Sequence, residues 1–146
     1  MKLKLPIFLA VMAVATSAFA DDDPRHVRHE LMEGVRDAAK PVGLMLRGEA
    51  EFDSEQLMQS LNVWKDAAAK FGDLFPEGTE TGMDTEAAPA IWTDREGFDA
   101  ALAKWAAAVD TAIAAAPDSL EAARPVVGAA FQNCKACHDN YRISDD

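Results

Sequence analysis

The sequence contains few cysteines, few basic residues and few long apolar runs. Its 146 residues include two cysteines and three histidines, and 14 lysines and arginines stand against 25 aspartates and glutamates, a formal charge of −11. An acidic surface of this kind repels nucleic acid and anionic lipid. After residue 20, no segment is apolar enough to span a bilayer. We therefore predict no nucleic-acid partner and no stable membrane insertion.

The patterns of common catalytic sites are absent as well. The sequence has no Ser–His–Asp set, no Gly-rich phosphate-binding loop and no paired carboxylates in a recognisable arrangement, which are patterns that many enzymes use. No segment alternates apolar and polar residues in the way that a half-buried strand does. The expectation is an all-α protein that is not an enzyme.

The one long apolar run lies at the N-terminus. Residues 1–20 begin with Lys2 and Lys4, continue with an apolar stretch and end with small residues at Ala18 and Ala20. This pattern predicts a signal peptide that is cleaved after Ala20, and therefore export to the periplasm. A membrane anchor is less well supported, because the run is short and three aspartates follow it. Cleavage leaves residues 21–146 as one domain and, by removing two lysines, changes the formal charge from −11 to −13.

Four amphipathic helices are predicted within residues 21–146, because apolar residues recur every three or four positions. The helices are expected to run from 24 to 47, from Asp53 to Gly72, from Thr93 to Pro117 and from Asp118 to Tyr141. Thr93 and Glu96 form a potential capping box, and Pro41 predicts a kink in the first helix. Together the segments predict an antiparallel up-down-up-down four-helix bundle. The 72–92 connection is long for such a fold, so we expect it to be mobile or to pack on something.

Both cysteines lie in the segment FQNCKACHDNYR, residues 131–142. On a helix, the spacings between Cys134, Cys137 and His138 place two thiols and an imidazole on one face. C-x-x-C-H is the attachment signature of c-type haem. The thiols bind the vinyl groups as thioethers, and the imidazole becomes the proximal ligand of the iron. We therefore predict one covalently bound haem c per chain.

Three other uses of these cysteines are less well supported. A disulfide between Cys134 and Cys137 fits poorly into a continuous helix. A thioredoxin-type dithiol needs a strand before its helix, and none is predicted. A structural zinc site needs four ligands, and only His26 and His29 remain to complete the set.

The sixth coordination position of the iron is open at this stage. A methionine or histidine there gives a low-spin electron carrier, whereas an empty position gives a site for a small gas. The candidates after cleavage are Met32, Met45, Met58, Met83, His26 and His29.

Over nearly all of residues 21–146 the chain resembles the class II c-type cytochromes, the cytochrome c′ family. The likeness rests on RHELM at 28–32, RGEAEFD at 47–53, GTETG at 78–82, AIWTD at 90–94 and CKACHDNYR at 134–142. It implies an exported four-helix bundle that carries haem near its C-terminus. Such bundles often pair through their first two helices, so the resemblance leaves a homodimer open.

The resemblance also implies roles for single residues. The distal position of the family falls on Met32, four residues after Arg28, and the low-spin branch holds a coordinating methionine there. Further haem neighbours implied by the likeness are Arg28 near a propionate, His29 beside it, Thr79 and Glu80 at the haem edge, and Arg142 near the other propionate or the proximal imidazole.

The resulting expectation is a periplasmic electron carrier whose acidic surface attracts a redox partner that is basic at the contact. The alternative is a high-spin, five-coordinate cytochrome c′ that binds nitric oxide or carbon monoxide, with Met32 only crowding the distal pocket.

Overall fold

The computed structural model describes residues 23–143, so the predicted signal peptide lies outside the described residues. Its helices are α1 (Pro24–Arg47), α2 (Ser54–Phe71), α3 (Ala90–Thr93), α4 (Arg95–Ala115) and α5 (Leu120–Tyr141), and a short 3₁₀ helix covers Gly72–Leu74. The four long helices pack in a closed ring, α1 on α2, α2 on α4, α4 on α5 and α5 on α1. The predicted all-α four-helix bundle is confirmed. None of the helices in the described part of the chain is long and apolar enough to cross a membrane.

The ends of α1 and α2 are those that the sequence predicts. Gly48 ends α1 with a φ of 75°, a left-handed conformation that glycine adopts without strain, and its N–H donates to the Met45 carbonyl at 3.0 Å. The carboxylate of Asp53 accepts from the Gln56 N–H at 2.9 Å and so caps α2. Helix α1 is continuous through Pro41, the residue at which the sequence predicts a kink.

The starts of α4 and α5 differ from the prediction by one residue. Asp94, not Thr93, caps α4, because its carboxylate accepts from the Gly97 N–H at 3.2 Å and Thr93 instead ends α3. Ser119, not Asp118, caps α5, since its hydroxyl accepts from the Ala122 N–H at 3.4 Å. Both errors arise where two good N-cap residues are adjacent, a choice that helix propensity alone does not make.

Two apolar clusters form the interior. The larger lies between the long helices around Trp64, which is fully buried, donates its indole N–H to the Val35 carbonyl at 3.1 Å and packs edge-on against Phe131. The smaller joins Phe75 and Ile91, which belong to the 72–92 connection, to Phe98 of α4. The long connection therefore packs on the bundle, which is one of the two outcomes expected for it.

Candidate cofactor site

A cavity of about 410 Å³ opens between α1, α4, α5 and the 72–92 connection. Helix α5 contributes Cys134, Cys137 and His138 to its wall, and α1 contributes Met32 and Val35. Phe71, Phe75, Ile91, Phe98, Leu102 and Trp105 supply much of the apolar remainder. The volume is that of a small-molecule or cofactor site, and its lining combines an apolar wall with a few polar donors, as such sites do.

The two thiols are free and half-buried on the cavity side of α5. Burial is the main cause that raises the pKa of both the Cys134 and the Cys137 thiol. A dithiol oxidoreductase needs the opposite shift, because the thiolate is its nucleophile. The shift is therefore opposite to the one that disulfide exchange requires.

His138 follows the second cysteine and lines the same cavity. Loss of hydration in its surroundings is the main cause that lowers the pKa of its imidazole, and the charge of Arg142 acts in the same direction. Glu86 and Asp139 oppose this shift. The imidazole is therefore mostly uncharged at neutral pH, and the uncharged ring is the form that binds a metal ion.

Two of the six candidates for the distal position are excluded from the cavity wall by their packing. Met45 is 3% exposed in the larger apolar cluster, and its sulfur accepts from the Asp53 N–H at 3.2 Å. Met58 packs against the same cluster. Neither residue lines the cavity.

The other four candidates line the cavity but differ in their surroundings. Met83 lies in the connection with 60% of its surface exposed. The rings of His26 and His29 are also exposed, and each is near a glutamate one turn further along α1. Met32 is half-buried on α1, yet it belongs to neither of the two apolar clusters of the described chain. Packing in the core therefore does not account for the position of Met32.

Arg28 lies in the cavity wall but is only 5% exposed. Its guanidinium donates to the Leu74 carbonyl, the Thr79 hydroxyl and carbonyl and the Thr85 hydroxyl, at 2.9 to 3.1 Å. It also lies 4.6 Å from the centre of the Phe75 ring. All four acceptors are uncharged and lie in the 72–92 connection. Arg28 therefore fastens this connection to α1.

Thr79 and Glu80 do not line the cavity. Thr79 is connected to the site through Arg28, whereas the carboxylate of Glu80 accepts from the Gly78 N–H at 3.0 Å within the same turn. Their placement at the haem edge remains a prediction.

The C-terminal end of α5 is held by the connection. Arg142 donates to the carboxylate of Glu86 at 2.6 Å, and both residues line the cavity. Beside this pair, the Ile143 N–H donates to the Glu86 carbonyl at 2.8 Å and the Ala88 N–H donates to the Tyr141 carbonyl at 3.1 Å. Sequence reasoning missed Glu86, because a glutamate 56 residues away from its partner in an irregular segment carries no local signal.

A second contact joins α5 to the start of α4. The hydroxyl of Tyr141 donates to the carboxylate of Asp94 at 3.0 Å, and the same carboxylate caps α4. Gly97 leaves room for this contact, since a Cβ atom there would lie 2.6 Å from the Tyr141 hydroxyl and would overlap the Asp94 carboxylate. Tyr141 is one turn after His138, so this contact helps to fix the helical turn that carries the imidazole.

The donor set of the cavity fits a covalently attached haem. Two neutral thiols and an imidazole occupy one helix face, a thioether projects from α1, and the remaining wall is largely apolar. Thiols, imidazole and thioether are the groups by which c-type haem and its iron are held in proteins.

Comparison with known proteins agrees with this donor set. A family model described as cytochrome c′ matches residues 23–142. The chain is 35% identical over 143 residues to cytochrome c′ of Rhodopseudomonas palustris, with 97% of each chain covered. It is 32% identical over 127 residues to cytochrome c-556 of Agrobacterium tumefaciens, covering 87% of this chain and 100% of the relative. A solved structure of the Rhodopseudomonas palustris cytochrome c′ matches with a TM-score of 0.82 at 35% identity, over 86% of this chain and 100% of that one.

Fold, site and relatives together define a haem protein of the four-helix-bundle type. The chain belongs to the cytochrome c′ family, and the predicted resemblance to class II c-type cytochromes is confirmed. Its cofactor is covalently bound haem c, as predicted. At this level the function is either electron transfer or the binding of a small gas.

Replacing Gly97 tests the contact between Tyr141 and Asp94. Helix propensity alone would make Gly97→Ala stabilising by up to about 1 kcal/mol. We instead expect a loss of about 1–3 kcal/mol, because the new methyl group displaces the Tyr141 hydroxyl and the capping carboxylate. Guanidinium unfolding of the haem-loaded protein measures the difference.

Gly34→Ala in α1 is the matched control, because a Cβ atom there meets nothing within 4 Å. This variant should gain about 0.5–1 kcal/mol. Equal gains in both variants would show that the Tyr141–Asp94 contact does not form.

Proposed function

We propose that the protein is a periplasmic electron carrier whose haem is attached through Cys134 and Cys137, with His138 and Met32 as the axial ligands of its iron. The observation that carries this proposal is that all four side chains line one cavity. A methionine that serves only in core packing would lie within one of the two apolar clusters, and Met32 belongs to neither.

The haem supplies a one-electron iron couple, and a methionine ligand raises its potential. The residues of the chain fix the geometry around that couple. Cys134 and Cys137 would anchor the ring to α5, and His138 would bind the iron with an imidazole that is already uncharged. Ligands on both sides in both oxidation states would keep the site nearly unchanged on electron transfer, so little reorganisation would be needed.

The remaining haem neighbours take more indirect roles in this proposal. Arg28, His29 and Arg142 line the cavity and would face the haem. Thr79 would act through Arg28, to which it is hydrogen-bonded, by keeping the connection in place. The role of Glu80 at the haem edge rests on the family likeness alone.

A second candidate function is the binding of nitric oxide or carbon monoxide at a five-coordinate iron. It is favoured by the 35% identity to a protein named cytochrome c′, compared with 32% to a cytochrome c-556. In this case Met32 would occupy the distal side of the cavity without binding the iron.

The Met32→Ala variant separates the two functions. The ferric parent should show the near-infrared band of a sulfur-to-iron charge transfer, and its reduced form should resist carbon monoxide. In Met32→Ala the band should vanish and carbon monoxide should bind readily, because the position is then open. Optical and near-infrared spectra with a carbon monoxide titration measure both effects.

Met83→Ala is the control, because Met83 also lines the cavity but lies on the exposed connection. It should retain the band and the resistance to carbon monoxide. A parent protein without the band, which binds carbon monoxide at low concentration, would instead support the five-coordinate function.

Export and partners complete the proposal. The segment 1–20 would direct the chain to the periplasm and be removed there. The formal charge of −13 that remains would attract a redox partner that is basic at the contact. Pairing of two copies through α1 and α2 stays a prediction, and Leu44 and Val63 are exposed apolar residues on those two helices.

Salt should therefore slow the reaction with a basic redox partner. Long-range attraction between opposite charges is screened within about 8 Å at 0.15 M salt and about 3 Å at 1 M. The second-order rate with a basic electron acceptor, measured by stopped flow, should fall by about tenfold or more between low and high salt. A rate that stays constant or rises would contradict attraction by the acidic surface.

A further inference from the structure

Arg142 is the basic residue that follows the proposed iron ligand His138 by one turn, at the C-terminal end of α5. Arg142 caps the helix, and its backbone N–H donates to the carbonyl of His138 at 3.2 Å. Its side chain lines the same cavity as the imidazole. An unpaired guanidinium at this place would favour the reduced, less positive state of a haem iron.

Glu86 forms an ion pair with this guanidinium from a separate part of the fold. Its carboxylate is 2.6 Å from Nε of Arg142, and it comes from the 72–92 connection, not from α5. Lys135 also lies in the last turns of α5, but its charge is compensated within the helix by Asp139, at 2.6 Å. The pairing of Arg142 therefore depends on a residue that the fold must bring to it.

The backbone around Glu86 holds its side chain in register with Arg142. The Glu86 carbonyl accepts from the Ile143 N–H at 2.8 Å, and two residues later the Ala88 N–H donates to the Tyr141 carbonyl at 3.1 Å. Ala87 and Arg142 form an antiparallel bridge between these two bonds. These backbone contacts place Glu86 opposite Arg142, so the ion pair of their side chains depends on the fold of the connection.

We propose that Glu86 is a positioning residue of the haem site, which holds the Arg142 guanidinium near His138 and offsets part of its charge. It thereby keeps the reduction potential below the value that an uncompensated arginine would give. This inference rests on the proposed role of His138 as iron ligand and adds to it a residue that touches neither the iron nor the cysteines.

The test compares three variants of the haem-loaded protein by reduction potential at low and at high salt. Glu86→Gln keeps the shape of the side chain but removes its charge, and Glu86→Asp retains the charge. Asp110→Asn is the matched control, since Asp110 forms a similarly exposed pair with Lys65 at 2.7 Å but does not line the cavity.

We expect Glu86→Gln to raise the potential clearly more than Asp110→Asn, although both change the net charge equally. The difference should shrink at high salt, because the charges are partly exposed and therefore screened. The reduction potential of Glu86→Asp should be close to that of the parent protein. Hydrogen exchange at the amide of Ile143 should stay slow in Glu86→Gln, which shows that the change is in charge and not in fold.

Equal shifts in Glu86→Gln and Asp110→Asn, in a protein whose spectrum still shows histidine-ligated haem c, would overturn the role of Glu86 alone. A Glu86→Asp variant whose potential is as high as that of Glu86→Gln would also overturn the role of Glu86. A protein that lacks covalent haem or histidine ligation would instead overturn the proposed function, and the role of Glu86 with it.

Discussion

The site depends on how the last two turns of α5 are held against the rest of the bundle. The helix spacing of Cys134, Cys137 and His138 turns them to one cavity, but a terminal helix end frays unless something fixes it. Two contacts from distant parts of the chain do so, Tyr141 with Asp94 and Arg142 with Glu86. Both partners lie in or next to the segment that links α2 to α4, so the long connection and the helix end stabilise each other.

The same connection explains why the cavity is stable in shape. Arg28 fastens the connection to α1 through four hydrogen bonds, and Phe75 of the connection packs edge-on against Phe98 of α4. A mostly apolar cavity of about 410 Å³ is costly for a bundle of this size when it is open to water, because its lining lacks packing partners. A haem bound there would supply those partners, so cofactor attachment and folding of the bundle would support each other.

What could be predicted from the sequence followed from local spacing. The helix periodicity gave the bundle, and C-x-x-C-H gave the cofactor, because both depend on residues within one or two turns. The caps Asp94 and Ser119 were each missed by one residue, where neighbouring side chains compete for the same role. The role of Glu86 was not predictable, since it depends on Arg142, a partner that only the tertiary fold brings near. The bonds of Arg28 to the connection were missed for the same reason.

The most direct test of the account is the intact mass of the exported protein, denatured and reduced, after production in a host that can attach haem. The account predicts the mass of residues 21–146 plus one haem, and loss of the added mass when Cys134 and Cys137 are both replaced by serine. A parent protein with only the mass of the bare polypeptide would contradict covalent attachment, and with it the proposed site.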